Sequence, residues 1–138
     1  MKKTSTVRLS HIGIAVADIE KAIGSWAELF GDDQPHRERV DDQGVDIASF
    51  AVGDILVELT GATAEDTPIG RFLAKRGEGI HHVAFEVDDI DAELSRLREA
   101  GVRLIDEKPR MGGHGMRIAF LHPQSFHGVL VEICSPSE

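Results

Sequence analysis

The sequence predicts an α+β fold made of two tandem βαβββ modules, and three observations predict it. The chain repeats itself: His11-Ile12-Gly13-Ile14-Ala15-Val16, with Asp18-Ile19 behind it, returns as His82-Val83-Ala84-Phe85-Glu86-Val87 with Asp89-Ile90. Each copy opens on an alternating, β-branched run and passes into apolar residues at helical spacing. Each closes on a strand with one carboxylate among apolar residues: Ile55-Leu56-Val57-Glu58-Leu59, then Val129-Leu130-Val131-Glu132-Ile133. The register slips by three residues between the two ends of the repeat, where Pro123 to Gly128 lengthens a turn.

In chain order, residues 9–16 read as a strand. Asp18 is placed to cap a helix whose stripe is Ile19, Ala22, Ile23, Trp26, Leu29 and Phe30, with Gly31 ending it. Trp26 is read as core. Residues 45–52 and 54–60 form strands around a Gly53-Asp54 turn. Asp66-Thr67-Pro68 opens a short helix that Gly77 closes. In the second copy Asp89 caps, Ile90, Leu94 and Leu97 form the stripe, and Gly101 stops it. Residues 102–106, 116–121 and 128–134 are the following strands. The expectation is one domain over residues 1–138, with modules at about 8–62 and 79–135 joined by a helix at 66–76. Their sheets would curl together around a cleft.

With 138 residues, 41% hydrophobic and 28% charged, the composition is that of a globular protein able to close a core. No stretch is apolar enough to span a membrane, and the start lacks the apolar centre of a signal peptide. The single cysteine, Cys134, has no partner for an internal disulfide and reads as a small apolar filler; a cytoplasmic location fits. A net charge of −9 argues against nucleic acid as a partner. A local basic patch from Lys75, Arg76, Lys108, Arg110 and Arg117 could still receive an anionic substrate, although each alone suits a solvated surface.

Strand alternation decides which side chains share a face. His11, Gly13 and Ala15 lie on one side of the first strand, and Ile12, Ile14 and Val16 on the other, against the helix. His82 and Ala84 stand likewise against Val83, Phe85 and Val87. Glu58 and Glu132 are out of phase with their apolar neighbours. A carboxylate within such a strand is costly unless paired or bound to a cation. The repeat therefore places His11, Glu58, His82 and Glu132 on the cleft side. Two imidazoles and two carboxylates suit a divalent ion such as cobalt, manganese, zinc, nickel or iron. A lone strand histidine is more often structural and a lone strand glutamate solvated; their recurrence at matched positions favours ligation. His81 points away from His82 and suits a surface or supporting role. His36 and His127 read as loop residues. His114, in a glycine-rich loop, and His122, at a strand end, are candidates to touch substrate.

The run Gly77 to Ile90 resembles the signature of the methylmalonyl-CoA epimerases, within the vicinal oxygen chelate superfamily. So do Gly113-His114-Gly115, Phe120-Leu121-His122-Pro123 and Gly128 to Glu132. Asp66-Thr67-Pro68-Ile69 with Phe72-Leu73 and Lys75 is similar to the family's inter-module helix, and Gln43-Gly44-Val45 to its second strand. The resemblance implies interconversion of (2R)- and (2S)-methylmalonyl-CoA, a divalent metal held by His11, Glu58, His82 and Glu132, and a homodimer. It also implies a catalytic role for Glu132 as an acid/base group. Gln replaces the second ligand in some members. Some members carry another Glu where Ile47 stands here; Asp46 is adjacent but is expected to face the other way.

Removing the proton between a thioester and a carboxylate creates an enolate, which a metal stabilises as a Lewis acid, and groups on opposite faces must exchange the proton. A glyoxalase I-like lyase and an epimerase of another 2-substituted malonyl-CoA share these requirements. Extradiol dioxygenases use two His and one Glu, which the fourth ligand argues against. A bleomycin-resistance-type binding protein uses the fold without metal, which the complete ligand set argues against.

Overall fold

The computed structural model describes residues 6–137. Their elements are β1 (Val7–Ala15), α1 (Ile19–Phe30), β2 (His36–Val40), β3 (Val45–Val52), β4 (Ile55–Ala62) and α2 (Pro68–Arg76), then β5 (Gly79–Val87), α3 (Ile90–Glu99), β6 (Arg110–Met111), β7 (Met116–Leu121) and β8 (Val131–Pro136). The α+β class and the two βαβββ modules expected from the repeat are present. By internal contacts the chain divides into two compact units, His11–His81 and Met1–Ser10 with His82–Glu138. No helix among the described residues is long and apolar enough to cross a membrane.

In the first unit the strands run in the order β2-β3-β4-β1. β1 and β4 are parallel, the outer pairs antiparallel. The Asp18 side chain accepts from the Lys21 N–H to start α1, and Gly31 ends it at φ 63. α1 lays Ile19, Ala22, Ile23, Trp26, Ala27 and Phe30 on Val16, Ala48, Phe50 and Leu59. Leu29, expected on this stripe, is 69% exposed. At 100° per residue it has rotated just past the buried arc, and Ala27 faces the sheet instead. Thr67 caps α2, accepting from the Gly70 N–H, with Pro68 at its first turn. Ile69, Phe72 and Leu73 of α2 pack on Ala15, Val45 and Ile47.

The second unit orders its strands β5-β8-β7-β6, with β5 and β8 parallel. Asp89 caps α3 by accepting from the Ala92 N–H, repeating Asp18. Ile90 and Leu94, helped by Leu97, cover Val87, Ala119, Leu121, Val131 and Ile133. Arg8, at the start of the chain, pairs with Glu86 at 2.7 Å.

Three strand expectations need correction. Residues 102–106 are not a strand: Leu104 makes a single bridge to Leu121, and the Ile105 and Asp106 N–H groups both donate to the Phe120 carbonyl, so no ladder can continue. The outer strand is the short β6 instead. β8 begins at Val131, leaving Val129 46% exposed in the preceding turn. His36, read as loop, opens β2, whose charged sequence hid an edge strand paired on one side with β3.

Candidate active site

Within the first unit, parallel pairing sets Glu58 of β4 beside Gly13 of β1. Gly13 has no side chain, so the carboxylate can lean along the strand towards the next residue on that face, His11. His11 Nε2 lies 3.5 Å from Glu58 Oε1, and the two residues are 9% and 5% exposed. The second unit repeats the device. Glu132 of β8 pairs with Ala84 of β5, and His82 Nε2 lies 3.4 Å from Glu132 Oε1, both groups buried. The spacing His-x-small residue, with Glu beside the small residue, is thus what brings each imidazole and carboxylate together.

Two residues beyond each glutamate a side chain ties the parallel strands together. Thr60 Oγ1 donates to the Ile14 carbonyl at 3.0 Å, and Cys134 Sγ to the Phe85 carbonyl at 3.6 Å. Sequence reading passed over Thr60, although superposing the repeats by their glutamates aligns it with Cys134. The reading of Cys134 as a buried filler holds, with this bond added.

The antiparallel neighbours of the glutamates differ. Ser49 pairs with Glu58, whereas Phe120 pairs with Glu132. The Phe120 ring stands edge-on to His82, centroids 5.5 Å apart, and the Arg110 guanidinium lies 5.8 Å from its centroid. Sequence reading listed Phe120 only within a motif.

The remaining candidates fall elsewhere. Ile47 is on the Glu58 face but closed into the cluster with Ala15, Val45 and Ile69. Asp46 faces the other way, as expected, and binds Arg39 through contacts of 2.6 and 3.0 Å. That guanidinium holds the Asp46 carboxyl below the usual carboxylate range. His81, expected to point away from His82, is half-buried and packs edge-on to Phe72 at 4.9 Å, and burial lowers its pKa to about 4. His122 Nδ1 accepts from the Gln124 N–H, capping a turn of 3-10 helix. His114 is exposed with φ 58, and His127 ends that 3-10 turn with φ 56. Of the basic residues, Arg117 is bound by Asp91 at 2.9 and 3.2 Å, Arg76 lies over Phe72, and Lys75 and Lys108 are exposed.

Buried imidazole nitrogens facing carboxylate oxygens are a donor set for a borderline divalent cation, and the pair can equally hold a proton between them.

The chain belongs to the glyoxalase/bleomycin resistance protein/dioxygenase superfamily, whose sequence model matches residues 10–120. Its relatives narrow the class. The ethylmalonyl-CoA/methylmalonyl-CoA epimerase of Cereibacter sphaeroides is 38% identical, over 91% of this chain and 96% of that protein. The crystal structure of methylmalonyl-CoA epimerase from Mycobacterium tuberculosis is 42% identical, with a TM-score of 0.92 over 100% of this chain and 94% of that one. A Streptomyces coelicolor methylmalonyl-CoA epimerase in complex with 2-nitronate-propionyl-CoA is 38% identical, with a TM-score of 0.91 over 97% and 96% of the two chains.

Proposed function

We propose that this protein is an isomerase that interconverts (2R)- and (2S)-methylmalonyl-CoA. The observation that carries the reading is the pair of buried imidazole–carboxylate contacts, His11–Glu58 and His82–Glu132, at matched positions of the repeat. The epimerase relatives at 38–42% identity support the same chemistry.

In this reading His11, Glu58, His82 and Glu132 together hold one divalent ion, of the cobalt, manganese, zinc or nickel kind, in a single domain of two modules. The ion, when bound, supplies Lewis-acid stabilisation of the negative charge that builds on the substrate oxygens. Glu132 takes the proton from C2, breaking the C–H bond and leaving its electron pair in the conjugated enolate. His82 Nε2, 3.4 Å from Oε1, helps fix the carboxylate, and the Phe120 ring, from the residue paired with Glu132 on β7, stands edge-on to that imidazole. Ile47 has no proton to give to the opposite face, and Asp46 is engaged by Arg39, so neither serves as the second acid. Burial of both pairs keeps water from competing for the carboxylates and strengthens their electrostatic action.

The test is proton NMR of racemic methylmalonyl-CoA in deuterated water. Loss of the C2 proton signal at a rate set by enzyme concentration supports the reading; an unchanged signal with metal-loaded protein refutes it. Ethylmalonyl-CoA is the second substrate to try, since the Cereibacter relative carries that name as well. We further propose a homodimer acting in the cytoplasm; a monomeric mass by light scattering at micromolar concentration would reject the dimer.

A further inference from the structure

Arg110 is the cation that the second unit presents beside its imidazole–carboxylate pair. It pairs with Ile118 across β6 and β7, which puts it on the same face as Phe120, one diagonal step away, and as Glu132 beyond. Its guanidinium lies over the Phe120 ring, and the same ring stands edge-on to His82. The described arginines of this unit differ in how their donors are used. Arg8, Arg96, Arg98, Arg103 and Arg117 each donate hydrogen bonds to a carboxylate, an amide or a carbonyl. Among the described residues Arg110 makes no such bond: it is paired with Asp106, 3.5 Å from Nε, and that carboxylate already accepts the Phe120 N–H through its other oxygen at 2.8 Å. The side chain is 40% exposed, so it is reachable from solvent while in cation–π contact with an aromatic ring.

We propose that Arg110 binds an oxyanion of the acyl-CoA substrate through the outer edge of its guanidinium. A planar fork of N–H donors matches two oxygens of a carboxylate or a phosphate, and it stays charged at every working pH. The cation–π contact with Phe120 restricts the side chain beforehand, so less conformational freedom is lost on binding. The substrate carries two such groups, the malonyl carboxylate and the phosphates of the CoA arm. The inference rests on the epimerase reading.

The experiment compares two thioesters of methylmalonate, the CoA ester and the N-acetylcysteamine ester, which keeps the carboxylate but has no phosphate. Turnover is read as deuterium incorporation at C2. Arg110→Gln keeps the stem and removes the charge; Arg110→Lys keeps the charge and removes the fork. Arg117→Gln, on a cation already bound by Asp91, controls for loss of charge alone. Arg110→Gln is expected to raise KM by about 10- to 100-fold, with kcat changed less and Arg110→Lys between it and wild type. A rise with the CoA ester alone assigns the phosphate; an equal rise with both assigns the carboxylate. An unchanged KM with both esters, or an equal rise in Arg117→Gln, overturns the proposal. Wild-type protein that turns over neither ester refutes the epimerase reading itself.

Discussion

The Cys134 thiol donates to the Phe85 carbonyl in the place where, in the other half of the repeat, the Thr60 hydroxyl donates to the Ile14 carbonyl. Each donor stands two residues past a buried glutamate and on its face, and each acceptor lies one residue past the small residue beside that glutamate. The bonds therefore lock the parallel register that sets Glu58 beside Gly13 and Glu132 beside Ala84.

Thr60→Val keeps the shape and removes the donor. It is expected to lower stability by about 1 kcal/mol, measured by urea unfolding. Cys134→Ser, which keeps a donor at the same position, should stay closer to wild type. Equal stabilities for wild type and Thr60→Val would show that this bond contributes nothing.

His11→Ala and His82→Ala should each abolish stable metal binding, because each leaves a buried carboxylate facing a gap. Elemental analysis after gel filtration reads this directly. Treatment of the wild-type protein with a chelator should abolish activity, and cobalt or manganese should restore it. Full activity in a verified metal-free sample would remove the metal from the reading.

Glu132→Gln retains size and one oxygen donor but cannot accept the C2 proton. It should keep much of the metal and lose α-proton exchange by about 100-fold or more. Glu58→Gln should be milder. Deuterium incorporation and metal content, measured on both variants, separate ligation from proton transfer. Near wild-type exchange by metal-loaded Glu132→Gln would place the base elsewhere.

Asp46→Asn should leave exchange unchanged, because the carboxylate is bound by Arg39 on the face away from Glu58. Its lowered pKa gives the sign of the pH effect: the ion pair favours the folded state above the ordinary aspartate value of 3.8, and that contribution is lost as pH falls below it. The pair is partly exposed, so acid unfolding curves of Asp46→Asn and wild type should differ only slightly, and only at the acid end. A large fall in exchange in this variant would mean that Asp46 reaches the substrate.

The repeat made most of the fold legible, because helix caps, stripes and strand phase recur with the same residues. The His and Glu positions were legible for the same reason. What stayed hidden was set by contacts the pattern does not encode. β2 is a charged edge strand, with no apolar alternation to announce it. The segment at 102–106 has strand-like composition, but its N–H groups converge on one carbonyl. Phe120 and Arg110 lie on β7 and β6, and only the cross-strand register shows them meeting on the Glu132 face. Thr60 looked like an ordinary strand residue until its hydroxyl was seen on a backbone carbonyl of another strand.

The parallel pairing of β1 with β4, and of β5 with β8, also fixes when each imidazole meets its carboxylate. Parallel strands cannot be joined by a tight turn, so the chain between His11 and Glu58 must first run through α1, β2 and β3. The contact is long-range in sequence, and loop-closure entropy opposes it until the intervening elements are in place. Each pair is thus expected to form late in folding and to be absent from a fragment that lacks either of its strands. A cation sought by these groups has only scattered side chains to meet in a nascent or truncated chain, and loading should follow folding in refolding experiments instead of nucleating it.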